Sequence, residues 1–258
     1  MCRFAAYLGP EIALDRFLLE PGHSLVRQAA APKEMHGALL NADGFGIGWY
    51  NADGRPAAYR NVMPIWADPN LSELGRSLHR PLWIGHVRSA TDGFGTGFAN
   101  TQPYQDEELL FVHNGFVTGF AAGTRQQLRR WLLPATEAAI HGNTDSEYLF
   151  AAIRQLLAED DQCDLSDALR LLCMLLVEWG AEHALLNLAL TDGGRIVALR
   201  HALDADCPSL YFTTDDEAFP GAQLLASEPL TDTGVWQAVP PHHLLILAPD
   251  EPPQLTTL

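Results

Sequence analysis

Glu108-Leu-Leu-Phe-Val-His-Asn-Gly-Phe-Val117 is the stretch on which the fold turns. It is apolar almost throughout, the pattern of a strand covered on both faces. Upstream the chain reads as further strands. Arg3-Phe-Ala-Ala-Tyr-Leu8 is strand-like and stopped by Gly9-Pro10. Phe45–Asn51 and Ala57–Asn61 read as a hairpin about the turn signal Asn51-Ala-Asp-Gly54. Leu71–Leu78 is a short helix and Leu82–Val87 a strand. Downstream the chain turns helical. Arg125–Leu133 stops before Pro134, and Thr144-Asp-Ser-Glu147 matches a capping box opening a helix to about Ala158. Asp164 or Ser166 caps another helix to about Gly180, with Leu171–Val177 as a buried run. The end reverts to strands over Leu185–Leu190, Ile196–His201, Leu210–Thr214, Leu224–Ala226 and Leu244–Leu247. Strands, then helices, then strands predict an α+β fold with large antiparallel sheets rather than an alternating βαβ fold.

The length of 258 residues suits one large domain, expected over residues 2–250, followed by a Pro-rich tail, 251–258, expected to fray. Hydrophobic residues at 47% and charged residues at 19% are ordinary globular composition. Sixteen Lys and Arg against 32 Asp and Glu give a net charge of −16. Such a chain repels polyphosphate and anionic lipid, so neither nucleic acid nor a membrane surface is an expected partner. No run of about 18 uncharged apolar residues occurs, and the first ten residues do not resemble a secretory signal. A cytoplasmic protein with reduced thiols is expected. Four cysteines are too sparse for a disulfide scaffold. Cys163 and Cys173 read as helix-core residues and Cys207 as a loop thiol.

Four short segments can carry chemistry. Cys2 follows Met1 directly. Removal of Met1, which aminopeptidases perform before a small residue, would leave a thiol and a free α-amine on one residue. An α-amine of pKa about 7.7–8.0 acts as a base near neutral pH, and a nucleophile carrying its own base is the N-terminal-nucleophile route to acyl transfer. The alternative is a buried strand cysteine. In Gly85-His-Val-Arg-Ser-Ala-Thr91 a strand runs into Arg88 and then Thr91. That pair can converge on a carboxylate, Arg supplying a bidentate fork, or Arg88 can be a surface ion-pair residue. His113-Asn114-Gly115 places a side-chain amide beside a glycine N–H, the parts of an oxyanion hole; read locally, Asn-Gly is a hairpin turn. Asp145 falls in a first helical turn, where the dipole favours a carboxylate, and could also hold a substrate ammonium.

Other patterns point away from cofactors. The glycines of Asn41-Ala-Asp-Gly-Phe-Gly-Ile-Gly-Trp49 lack dinucleotide-loop spacing and precede no helix, so they read as sites of close backbone approach. No paired CxxC and no HExxH occurs, and His242-His243 would face opposite ways on a strand. No metal and no cofactor is expected.

In order and spacing, Met1-Cys2, Asn41–Trp49, Gly85–Thr91, His113–Gly115 and Asn143–Glu147 resemble a class II glutamine amidotransferase domain. Ala226-Ser-Glu-Pro229 and Trp236 through Val239-Pro-Pro-His-His-Leu-Leu245 resemble its stand-alone branch, which includes the γ-glutamyl hydrolase of ergothioneine biosynthesis. The resemblance implies the N-terminal nucleophile hydrolase fold, a four-layer αββα sandwich of two antiparallel sheets. It implies Cys2 as nucleophile and Asn114 with the Gly115 N–H as oxyanion hole. It further implies Arg88 with Thr91 for the substrate α-carboxylate, and Asp145 for the α-ammonium. There are departures: Ser89 and Asp92 stand where synthase-linked members often have Trp and His, and Gln102 precedes Pro103 where they often have His.

Three functions stay open. One is a stand-alone γ-glutamyl amide hydrolase working through a γ-glutamyl thioester, with γ-glutamyl hercynylcysteine sulfoxide as the most specific substrate. The second is an ammonia-donating glutaminase subunit of a synthetase, and the third a non-catalytic binding domain. Partners are then a small γ-glutamyl substrate and either a second copy or a synthetase.

Overall fold

The computed structural model describes residues 2–34, 40–90 and 95–258. The chain runs β1 (Arg3–Ala13), α1 (Leu14–Leu18), α2 (Leu25–Ala30), β2 (Phe45–Tyr50), β3 (Pro56–Asn61), α3 (Leu71–Ser77) and β4 (His79–Val87). It continues through β5 (Tyr104–Gln105), β6 (Leu110–Val117), α4 (Thr124–Trp131), α5 (Pro134–Ala138), α6 (Asp145–Glu159) and α7 (Leu165–Glu178). The last part is β7 (Ala184–Thr191), β8 (Ile196–Leu203), β9 (Tyr211–Thr213), β10 (Gln223–Ala226), β11 (Gln237–Ala238), β12 (His243–Leu247) and β13 (Gln254–Thr257).

Among the described residues the strands form two antiparallel sheets. One has the order β11-β9-β10-β1-β4-β2-β3 and the other β13-β12-β8-β7-β6-β5. Alternation along β1 shows why they stack. Phe4, Ala6 and Leu8 point to a core shared with Leu110, Val112, Ala189 and Ala198 of the second sheet. Ala5 and Tyr7 point the other way, against Leu14, Phe17, Leu18 and Leu25 of α1 and α2. On β6 the same alternation sends Phe111 to α6 and α7, beside Phe150, Leu169 and Leu172. Each fully buried Phe or Leu contributes roughly 1.5–3 kcal/mol of transfer free energy. The result is helices, sheet, sheet, helices: the four-layer α+β sandwich expected from sequence.

Several local expectations change in the folded chain. β1 does not stop at Gly9-Pro10. Its register with β4 shifts between Leu8 and Ile12 and then resumes, Ile12 opposite Arg80, so an irregularity absorbs the proline's missing donor. His113-Asn114-Gly115 is not a turn. It lies inside β6, with Asn114 opposite Asn187 of β7, because long-range pairing outweighs local turn preference. Thr144 caps α6 by accepting from Glu147 N at 3.4 Å, but the Glu147 carboxylate does not reach back to complete the box. It accepts instead from His141 N and Gly142 N at 2.8 and 2.6 Å.

The run Leu171–Val177 is only half buried: α7 sinks Leu169, Leu172, Cys173 and Leu176 and exposes Leu171, Met174 and Val177. A helix buries one stripe, and a continuous apolar run wraps past it. Cys163 precedes α7 rather than lying within it. The Pro-rich end does not fray, since Gln254–Thr257 pairs with β12. His242 lies outside β12 at a φ of 60°, and its Nδ1 is 2.8 Å from Nδ1 of His201. The preceding Pro240-Pro241 cannot donate to a ladder, so the strand begins at His243.

Candidate active site

The start of β1 and the ends of β4 and β10 meet at one end of the first sheet, because Arg3 pairs with Val87 and Ala5 with Ala226. Cys2 and Arg88 are therefore the first residues beyond two neighbouring strands. The Cys2 thiol donates to the Ser89 carbonyl oxygen at 3.6 Å. Burial pushes its pKa up; the Ser89 bond and the Arg88 cation pull against that rise, and Asp145 adds to it. The charges of Arg88 and Asp145, carried by different elements, thus act in opposite senses on the same thiol.

Arg88 is nearly buried and held by its own backbone, whose N–H donates to Gly44 O at 2.8 Å and whose carbonyl accepts from Asp43 N at 3.0 Å. Its guanidinium donates to the carbonyls of Asp43 and Gly95 at 3.5 and 3.2 Å. Among the described residues no carboxylate is within ion-pair distance of it. A desolvated cation met only by carbonyl dipoles is suited to an anionic ligand. The surface ion-pair reading of Arg88 therefore fails. Thr91 lies outside the described residues.

Asp145 opens α6 and is also buried. Its Oδ2 accepts from Val117 N at 2.8 Å and its Oδ1 from Ser146 N at 2.7 Å, tying the helix start to the end of β6. Neither Arg nor Lys pairs with it among the described residues. His113 lies between these parts. Its Nε2 is 2.9 Å from Leu185 O and its Nδ1 is 2.9 Å from Ser146 Oγ, which is 3.2 Å from Asp145 Oδ1. Burial lowers the His113 pKa and Asp145 opposes that shift. The ring crosses Gly115: a Cβ there would fall 1.7 Å from Leu185 O and 2.6 Å from His113 Nε2, so the position accepts only glycine. Asn114 is fully buried on β6, its Nδ2 donates to Ser227 Oγ at 3.4 Å, and its Oδ1 has no hydrogen-bond partner among the described residues.

Sequence reasoning left four neighbours without roles. Gln102 binds the His113 backbone at both ends of its amide, accepting from His113 N at 2.6 Å and donating to His113 O at 3.1 Å. His86, one residue inside the end of β4, has both ring nitrogens buried with no partner at full hydrogen-bond geometry among the described residues; burial and the nearby Arg88 charge lower its pKa to about 3, against a weaker opposing pull from the His113 backbone. Ser227 and Glu228 follow β10. Their side-chain contacts lie more than a hundred residues away in the chain, so the Ala226–Pro229 motif was the only signal that could have found them. Gly46 makes the expected close approach, as a Cβ there would fall 2.1 Å from Gln102 O. A separate groove of about 320 Å³ lined by Arg60, Tyr104, His141, Glu147 and Arg154 does not include the site. Among the described residues no group of three or more His, Cys, Asp or Glu is placed to hold a metal ion, and no helix is long and apolar enough to cross a membrane.

The family model for class II glutamine amidotransferases matches residues 33–256. The chain belongs to this family. Class II glutamine amidotransferases are enzymes, and the binding-domain reading falls with that membership. The relatives agree. The chain is 31% identical over 248 residues to the γ-glutamyl-hercynylcysteine sulfoxide hydrolase of Mycobacterium tuberculosis, covering 95% of this chain and 92% of that one. It is 29% identical over 293 residues to a probable glutamine amidotransferase of Saccharomyces cerevisiae, covering 96% and 82%. Among solved structures, a glutamine aminotransferase class-II domain protein from Silicibacter pomeroyi superposes with a TM-score of 0.72 at 27% identity over 99% of both chains. The phosphoribosylpyrophosphate amidotransferase of Bacillus subtilis shares the fold at 20% identity, with a TM-score of 0.63 over 99% of this chain and 49% of its own.

Proposed function

We propose that the protein hydrolyses γ-glutamyl amides with Cys2 as the nucleophile, after removal of Met1. The observation that carries this reading is the pair of buried, oppositely charged side chains, Arg88 and Asp145, whose charges both act on the Cys2 thiol. Neither has an ionic partner among the described residues, and together they match the α-carboxylate and α-ammonium of a γ-glutamyl group. Arg88, with Thr91, binds the carboxylate through its guanidinium fork. Asp145 pairs the ammonium, which would otherwise be desolvated alone.

The thiol is protonated near neutral pH, because burial raises its pKa. It therefore needs a base as it attacks, and the α-amine of Cys2 takes the proton, directly or through a water. Sulfur bonds to the γ-carbon, and the resulting oxyanion receives hydrogen bonds from Asn114 Nδ2 and the Gly115 N–H. Collapse expels the amine, which takes the proton back, and leaves a γ-glutamyl thioester. Water, deprotonated by the Cys2 α-amine, hydrolyses the thioester and releases glutamate, and the departing Cys2 sulfur takes that proton back.

The mycobacterial relatives favour γ-glutamyl hercynylcysteine sulfoxide as the substrate. The yeast relative's name keeps ammonia donation to a synthetase as a second reading. Glutamate release from the sulfoxide, from glutamine and from other γ-glutamyl amides separates them: the first reading predicts fastest turnover of the sulfoxide by the protein alone, the second turnover of glutamine that rises with a partner. Cys2→Ala is expected to lower turnover by several orders of magnitude, as removal of a catalytic unit does, while thermal unfolding stays cooperative. Protein whose intact mass retains Met1 is expected to be inactive. Wild-type turnover in either preparation contradicts Cys2 chemistry.

A further inference from the structure

Ser227 and Glu228 lie directly behind the nucleophile and take no part in the chemistry above. Glu228 is buried and ion-paired to Arg3 at 2.7 Å, and it also receives His23 Nε2 at 2.7 Å and the backbone N–H groups of Lys33 and Glu34 at 2.8 and 3.0 Å. Arg3 in turn donates from Nη1 to the Cys2 carbonyl at 2.9 Å. The segment after β10 is thereby clamped to the residue that carries the thiol. Ser227 connects that segment to the second sheet. Its N–H donates to Phe4 O at 2.9 Å, and its Oγ accepts from Phe4 N at 3.1 Å and from Asn114 Nδ2 at 3.4 Å.

We propose that Ser227 is a positioning residue that holds the Asn114 amide in register with Cys2. The inference rests on the reading of Cys2 as nucleophile and Asn114 as oxyanion donor. Two donors occupy the hydroxyl oxygen, one from the nucleophile's own strand and one from the oxyanion donor. One amide hydrogen of Asn114 is spent on Ser227 and its twin is left aimed at the developing oxyanion. Without the hydroxyl the amide can rotate, and its buried, unpartnered Oδ1 can swing toward the oxyanion. Because the oxyanion exists only after attack, loss of this control falls on kcat rather than on KM.

The test is steady-state glutamate release from γ-glutamyl hercynylcysteine sulfoxide and from glutamine by wild type, Ser227→Ala, Asn114→Ala and the double variant. Ser227→Ala is expected to lose about 10–100-fold in kcat, the range for a partner that orients a directly acting group, with KM changed less than about threefold. In the Asn114→Ala background the same substitution is expected to cost less than about threefold. A kcat within twofold of wild type, a loss confined to KM, or an equal loss in both backgrounds overturns the inference. Should Ser227→Ala unfold below assay temperature, near-isosteric Ser227→Cys, whose sulfur is a weak acceptor, is judged by the same criteria. Failure of the parent reading looks different: wild type then turns over neither compound, or Cys2→Ala stays active.

Discussion

Arg88 and Asp145 show what a residue means once its surroundings are known. Each has a sufficient local explanation, a strand-end arginine and a first-turn aspartate. The fold buries both where their charges act on one thiol and pairs neither with an opposite charge among the described residues. Asp145→Asn tests this directly. Asparagine keeps an oxygen for Val117 N but loses the charge. KM for a γ-glutamyl substrate is expected to rise about 10–150-fold, the equivalent of a charged hydrogen bond of about 1.5–3 kcal/mol, with a smaller change in kcat. An unchanged KM removes Asp145 from the site. Cys2, Arg88, Asn114, Gly115 and Asp145 were legible as candidates because each sits in a short motif with its own chemistry. Ser227 and Gln102 were not, because a serine or glutamine acquires a role only from what lies opposite, here Asn114 and the His113 backbone.

Elements followed their local signals where those signals close within a turn. Asp164 accepts from Ser166 N and Asp167 N at 2.7 and 2.9 Å, which settles the choice between two candidate caps for α7. Asp164→Ala is expected to destabilise the protein by about 1 kcal/mol, read as a lower urea midpoint with an unchanged slope. A midpoint equal to wild type contradicts the capping role. Elements departed from sequence where a distant strand competes. His113-Asn114-Gly115 carries a turn signal yet runs straight through β6, because β7 pairs with it from Leu110 to Val117. That override puts Asn114 on a rigid strand rather than at a loop tip, where an oxyanion donor would need to be ordered on each turnover. The five- and six-residue helices α1, α2 and α5 are too short to show a helical period and escaped notice.

At the scale of the whole molecule, the interior stores titratable groups that acid will disturb. His86 stays neutral in the fold down to a pKa of about 3, whereas an exposed histidine titrates near 6.5. Between those values the unfolded chain binds a proton that the folded chain refuses, so stability falls as pH drops, by up to about 1.4 kcal/mol per pH unit. Glu228 is held at about 2 despite burial, by His23, by two backbone N–H groups and by Arg3, so it withdraws stability in the same direction at lower pH. Urea midpoints are expected to decline from pH 7 to pH 5, before Glu228 contributes, and His86→Leu to flatten that decline. An unchanged slope in the variant would show that the ring is solvated. The sequence by itself determined the α+β class with its large antiparallel sheets and singled out Cys2 as the candidate nucleophile, because burial patterning and motif chemistry are local properties of the chain. Only the tertiary structure decided that Arg88 and Asp145 are buried without an ionic partner among the described residues, that Asn114 lies within a strand, and that the segment after β10 ties Cys2 to Asn114. Those contacts join residues up to 225 positions apart, and no local pattern encodes which distant partner a side chain will meet.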